Sequence, residues 1–253
     1  MNKRIWMVLV ALLLGIVNVS AGNEKKNIDL NGSPRQITVS NAIEVEVISS
    51  NRNMMEVEAS SRAMKHFRYT DNGDKLVLNR NQKGFNLFSQ GKIKIKLYVT
   101  DIRKITTIDV TGASEVELKS NQQLALRIVD ASGASKVTLE GQLQSLSADI
   151  TGASKLDFDG SAERVILDVS GASRADIDTS FTKALSADVT GASKVQLEGK
   201  IERLVADVSG ASGLDAEDAI IDIASLEASG ASSINVPAQK FEKRSASGGS
   251  KIR

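Results

Sequence analysis

Ala148-Asp149-Ile150-Thr151-Gly152-Ala153-Ser154-Lys155-Leu156-Asp157-Phe158 decides the fold. Apolar side chains stand at Ala148, Ile150, Leu156 and Phe158, with polar ones between them. The alternation runs on both sides of Gly152-Ala153-Ser154 and is the period-2 signature of strands with one buried face. A helix would need a period of about 3.6. The triplet between the runs reads as a tight corner. Gly supplies a backbone conformation that other residues reach only with strain, and Ala is small enough to pack inside the bend.

The unit recurs along the chain. The triplet opens at Gly112, Gly133, Gly152, Gly171, Gly191, Gly210 and Gly230, and Gly248-Gly249-Ser250 is a degenerate eighth copy. The spacings are 21, 19, 19, 20, 19, 20 and 18 residues. A fixed period near 20 means a solenoid. Aligned on the first Gly, the columns two and four before it and four and six after it are apolar, broken only by Arg244 in the last copy. A second corner is expected about eight residues after each Gly, at Gly141, Gly160 and Gly199 or at Ser120 and Thr179. Two strands per coil predict a flattened parallel β-helix with two sheets. Eight rungs at the usual strand spacing make a rod about 35 Å long.

The outer columns are polar. Three before the Gly stand Asp109, Asp130, Asp149, Asp168, Asp188 and Asp207, then Glu227. One before is always Ser or Thr, and two after is always Ser. Three after stand Lys136, Lys155, Arg174, Lys194 and Lys251, with exceptions at Glu115, Gly213 and Ser233. Like charges one rung apart repel by about 0.9 kcal/mol in water, so the acidic ladder must be solvated or countered. The basic column across the corner is the expected counter. A solvated face with stacked hydroxyls is one reading of the ladder, and a calcium or glycan surface is the other. The nine-residue calcium repeat is absent, and calcium wants six to eight oxygens around one point rather than a line.

Composition narrows the rest. The 253 residues include no Cys, one His and only 4% aromatics. Disulfide scaffolds, thiolate metal sites and cysteine nucleophiles are excluded. The core must be Val, Ile, Leu and Ala. The formal charge of +1 gives no reason to expect nucleic acid. Lys3 and Arg4, the apolar run Ile5 to Val17, and Val19-Ser20-Ala21 read as a secretory signal peptide cleaved after Ala21. No second run of spanning length follows, so no integral membrane span is expected after cleavage, and the mature chain is expected in the periplasm or at the cell surface.

Residues 22–105 lack the triplet but keep strand patterns around Ile37, Val39, Ile43, Val45 and Val47 and from Ile93 to Val99. Asp71-Asn72-Gly73-Asp74 reads as a turn between strands. Gly84 to Gly91 holds Phe85, Leu87 and Phe88 in an expected loop. The chain thus divides into a signal peptide (1–21), a less regular β-rich part (22–105) and the repeat β-helix (106–253), the last two forming one continuous body. Residues 22–105 hold 15 basic and 9 acidic side chains, and residues 106–253 hold 15 and 22. That split suggests homo-oligomers formed through the solenoid ends, where strand edges are unpaired.

The signal peptide, the strands around Asn72-Gly73 and Lys92–Val99, and Gly-centred corners ending in Gly-Gly-Ser-Lys-Ile together resemble the bacterial head GIN domain family. Its members are named as autotransporter adhesins. The resemblance runs from about residue 28 to 253. It implies an all-β, right-handed parallel β-helix and a role in cell adhesion at the envelope of Gram-negative bacteria. It brings no catalytic residues, metal or cofactor. Rungs that vary by so few residues leave no loop insertion for a catalytic cleft, and His66 stands alone outside the repeats. The expected function is an exported, non-enzymatic adhesin or binding scaffold, with a glycan or protein as its surface ligand. The rivals are a β-helix polysaccharide lyase or hydrolase, on fold analogy alone, and an envelope protein with a periplasmic partner.

Overall fold

A computed structural model describes residues 18–20, 23–81 and 91–253. The signal-peptide reading (1–21) falls almost wholly outside these residues, as do Phe85, Leu87 and Phe88. The body is a β-solenoid of about seven turns. Its spine is four long strands, Lys136–Ile150, Lys155–Val169, Arg174–Val189 and Lys194–Val208, stacked parallel and in register. Leu139, Phe158, Ile177 and Leu197 align across them, as do Asp149, Asp168, Asp188 and Asp207.

Each long strand holds a bend. Leu156, Phe158 and Ala162 face inward at even positions, and Val165, Leu167 and Val169 face inward at odd ones. The ladder skips Gln144 and Glu163 where the parity changes. The change of face thus falls three residues after the expected second corner at Gly141 and Gly160, and the strand runs through it without a break. A Cβ on Gly160 would lie 1.8 Å from the carbonyl oxygen of Gly141 below it, so only glycine fits. The extra residues of the 21-residue rung collect at this corner, where the register slips between Lys119 and Gln123.

The Gly-Ala-Ser corners stack as directly as the strands. Ala153 N–H donates to Gly133 O at 2.7 Å, and Ala172 N–H to Gly152 O at 2.7 Å. Gly152 has φ +77°, and a Cβ there would sit 2.6 Å from Gly133 O. The corner residues face opposite to expectation. Ala113, Ala134, Ala153 and Ala172 are exposed, and Ser114, Ser135, Ser154 and Ser173 are buried. Alternation explains this: the buried column four after the Gly has its inward neighbour two after, which is Ser. The hydroxyls are useful inside because corners leave backbone groups unpaired. Ser135 Oγ donates to Ser132 O at 2.7 Å, while Ser154 Oγ accepts from Ser135 N–H at 3.2 Å.

The core columns are buried as the sequence reads except in the last copy, where Ala246 is exposed and Ile252 half-buried. Val110, Ile150, Val169, Val189 and Val208 are fully buried, as are Val116, Val137, Leu156 and Val195. Burying each such side chain is worth about 1.5–3 kcal/mol, and every rung relies on its neighbours for it. Arg244 stands where the last coil would need an apolar residue. It lies exposed in Ala238–Ala246 with its guanidinium 5.4 Å from the Phe241 ring centroid.

The front adds two more coils that the triplet does not mark. Gln36–Ser40 pairs parallel with Thr107–Thr111, and Ile43–Ser49 pairs with Glu115–Leu124. Asn41 and Ala42, at φ +68° and +62°, take the places of Gly112 and Ala113. Ile43 takes the place of the serine, and its N–H donates to Ser114 Oγ at 3.4 Å. One coil earlier, Lys75–Arg80 pairs with Gln36–Ser40, and Ile93–Val99 pairs with Ile43–Ser49. Sequence pattern changes at 105/106, but the parallel ladder continues across it.

Antiparallel strands close this end. Met54–Ser60 lies against Ile93–Val99, and Asn23–Asp29 lies outside it. Phe67–Asp71 pairs with Lys75–Arg80 through the expected turn, where Asn72 Oδ1 accepts from Lys75 N–H at 2.7 Å. The helix Ser61–His66 links the two, capped by Ser60 Oγ accepting from Ala63 N–H at 3.2 Å.

Candidate functional site

Each coil offers two broad outer faces, one on either side of the Gly-Ala-Ser corner. On the leg before the corner, Asp109, Asp130, Asp149, Asp168, Asp188 and Asp207 align in register, followed by Glu227. Outward alternation places Ser or Thr beside each Asp. All six aspartates except the half-buried Asp109 are exposed. Among the described residues, no ion pair reaches any of the six. Partial burial pushes the Asp130 carboxyl up, and the charges of Asp109 and Asp149 push it further. Asp188 is raised in the same way, by burial and then by Asp168 and Asp207.

The basic column does not counter this ladder, contrary to expectation. It turns toward carboxylates on its own leg, after the corner. Lys155 Nζ lies 2.6 Å from Asp157 and 3.1 Å from Asp176. Arg174 Nε lies 2.6 Å from Asp176 and its terminal nitrogen donates to Gln196 at 2.8 Å. Lys136 spans Glu115 at 3.5 Å and Asp157 at 3.6 Å. Burial works to raise Asp176, but Arg174 and Lys155 outweigh it and hold the carboxyl below its ordinary value. The reason is geometric. Residues two apart on one strand share a face, whereas residues across the corner point to different faces.

A feature the sequence reading passed over lies beside the Asp ladder. Ile128, Ile166 and Val205 are exposed by 44%, 45% and 44%, which is unusual enough for large aliphatics to mark a surface. They stand five before the corner glycines, on alternate coils, with Ser147, Ser186 and Ser225 between them. The signal was present in that column as an Ile/Ser alternation. The leg before the corner is therefore a flat array of carboxylates, hydroxyls and spaced aliphatic groups. Its six aspartates are left to solvent or to a partner, while Glu227 at the end of the ladder is paired with Lys243.

The remaining sequence-predicted residues are structural or peripheral. Gly112, Gly133, Gly152, Gly171, Gly191, Gly210, Gly230 and Gly248 all have positive φ at the stacked corners. His66 is half-buried at the end of its helix. Among the described residues, no helix is long and apolar enough to cross a membrane.

Comparison with known proteins gives a consistent picture. The family profile described as "Putative auto-transporter adhesin, head GIN domain" matches residues 33–191 and 167–253. The chain is similar in fold to a crystal structure titled a putative adhesin from Parabacteroides distasonis, with a TM-score of 0.74 at 15% identity, covering 91% of this chain and 96% of that one. It is similar to a putative adhesin from Bacteroides fragilis, with a TM-score of 0.63 at 13% identity over 92% and 97% of the two chains. It is also similar to a protein from Parabacteroides distasonis titled a putative lipid binding protein, with a TM-score of 0.64 at 13% identity over 92% and 96%. No curated protein matches the chain.

Proposed function

The chain belongs to the auto-transporter adhesin head GIN domain family, and from that premise we propose that it is an exported, non-enzymatic adhesin acting at the bacterial envelope. The observation that carries this reading is the uncompensated Asp ladder. Carboxylates in the same fold, one corner away, are taken up by internal ion pairs. The six aspartates of the ladder have no ion pair among the described residues and, all but Asp109 exposed, stand in a regular array with hydroxyls and the aliphatic groups of Ile128, Ile166 and Val205. A flat face of this kind suits broad, multivalent contact with a surface rather than enclosure of a small substrate.

The test uses cells that export the full chain. Protease treatment of intact cells reports exposure, and retention on host-cell or mucin-coated surfaces reports adhesion. The reading expects a protease-accessible chain, and adhesion that falls when Asp149, Asp168 and Asp188 are all changed to Lys. Adhesion unchanged in a deletion strain, or a chain wholly protected inside the cell, would overturn it.

A further inference from the structure

We infer that the front of the solenoid carries a binding groove for an acidic polysaccharide. The groove lies on the second-corner side, where the 21-residue rung places its extra residues. Gln122, Gln123, Gln144, Arg103 and Arg127 line about 440 Å³ of it, over the buried side chains of Leu124 and Leu126. At Arg103 it continues into a second hollow of about 290 Å³ that holds Arg35 and Lys104. Asp74 is the single carboxylate of the two linings.

The cations are disposed to meet an outside anion. Arg103 keeps its Nε on Asp101 at 2.9 Å. Arg35 and Arg127 are exposed, and among the described residues their guanidinium groups have neither an ion-pair nor a hydrogen-bond partner. Their spacing is set by the stack itself. Thr106 N–H donates to Arg35 O at 2.8 Å, and Arg127 N–H donates to Thr106 O at 3.0 Å. The backbones of Arg35 and Arg127 therefore stand two coils apart, about 10 Å at the usual strand spacing. From backbones so spaced, two long guanidinium side chains can meet acidic groups carried along one extended sugar chain.

The chemistry of the lining selects the ligand class. A guanidinium grips a planar carboxylate through two parallel hydrogen bonds. A glutamine amide donates and accepts at once, which matches neighbouring sugar hydroxyls. The rest of the molecule directs a polyanion here. Residues 22–105 are net basic and residues 106–253 net acidic, with the Asp ladder running along the solenoid. A polyanion is repelled along the back and attracted at the front. The two linings hold none of the ladder aspartates and none of Ile128, Ile166 and Val205, so this inference stands or falls apart from the adhesion reading.

Calorimetric titration of the purified chain with hexagalacturonate tests it, with cellohexaose and hexaglutamate as comparators at low and high salt. The expected result is binding of the uronate alone, weakened by salt. Arg35→Gln and Arg127→Gln should each lower affinity by about tenfold, the loss of one charge-assisted contact, while Lys194→Ala leaves it unchanged. Circular dichroism confirms that each variant is folded. No uronate binding by the folded chain, or binding unaffected in the double variant, overturns the inference. Equal affinity for hexaglutamate overturns it too, in favour of an acidic-peptide site.

Discussion

The two faces of each coil share a backbone and differ in what their charges do. After the corner, Lys155 and Arg174 lie within 3.1 Å of Asp176, and its carboxyl is held low. Before the corner, partial burial and then the charges of Asp168 and Asp207 raise the Asp188 carboxyl, and among the described residues no ion pair reaches it. The same residue type at the same strand pitch is thus structural on one face and available on the other. Side-chain direction decides which. A countercharge two residues along a strand lands beside its partner, while one across the corner does not.

The largest test removes the hinge that both faces share. Gly152→Ala places a Cβ 2.6 Å from Gly133 O at a φ of +77°. Backbone strain and the clash should cost about 3 kcal/mol in urea unfolding. A loss below about 0.5 kcal/mol, the range of ordinary surface changes, would mean the corners are not tightly stacked.

Next comes the inward hydroxyl. Ser154→Ala leaves Ser135 N–H without its acceptor and should cost about 1 kcal/mol. Ala153→Ser, one residue away and exposed, should change stability by less than about 0.5 kcal/mol. Equal effects at the two positions would contradict the assigned orientation.

Arg174→Ala should make the paired face resemble the unpaired one. The loss is about 0.5 kcal/mol at neutral pH, since the pair is partly exposed and screened. Because Asp176 is lowered in the folded state, its contribution is present above its unfolded pKa and fades as pH falls through the folded value. The difference between variant and parent should fade on the same acidification.

Asp188→Asn is the smallest change and has the opposite sign. A raised carboxyl destabilises the fold once ionised, so removing the charge should stabilise by a few tenths of a kcal/mol at neutral pH. Acidification protonates the parent Asp188 first, and the gain should then vanish. Thermal melts across the acidic range measure it.

Much of this was legible from the sequence, and the rest failed for identifiable reasons. Period, alternation and the apolar columns depend only on local pattern, so the solenoid could be read from Ala148 to Phe158 outward. The front coils were hidden because Asn41-Ala42-Ile43 performs the corner with neither the glycine nor the serine of the marker. Asn tolerates positive φ, and its corner is bonded to the first coil rather than repeated. The inward Ser followed from parity, yet its polarity suggested the outside. The misassigned countercharge for the Asp ladder needed knowledge of which face each column points to. The groove was foreshadowed by the 21-residue spacing, but only the structure places Arg35, Arg103 and Arg127 near the added residues.

The most direct measurement is an NMR titration of side-chain carboxyl carbons in the intact chain. The account predicts Asp130 and Asp188 titrating above the ordinary aspartate value and Asp176 below it. Asp188 titrating at or below the ordinary value, or Asp176 at it, would contradict the claim that one face is internally satisfied and the other is open to a partner.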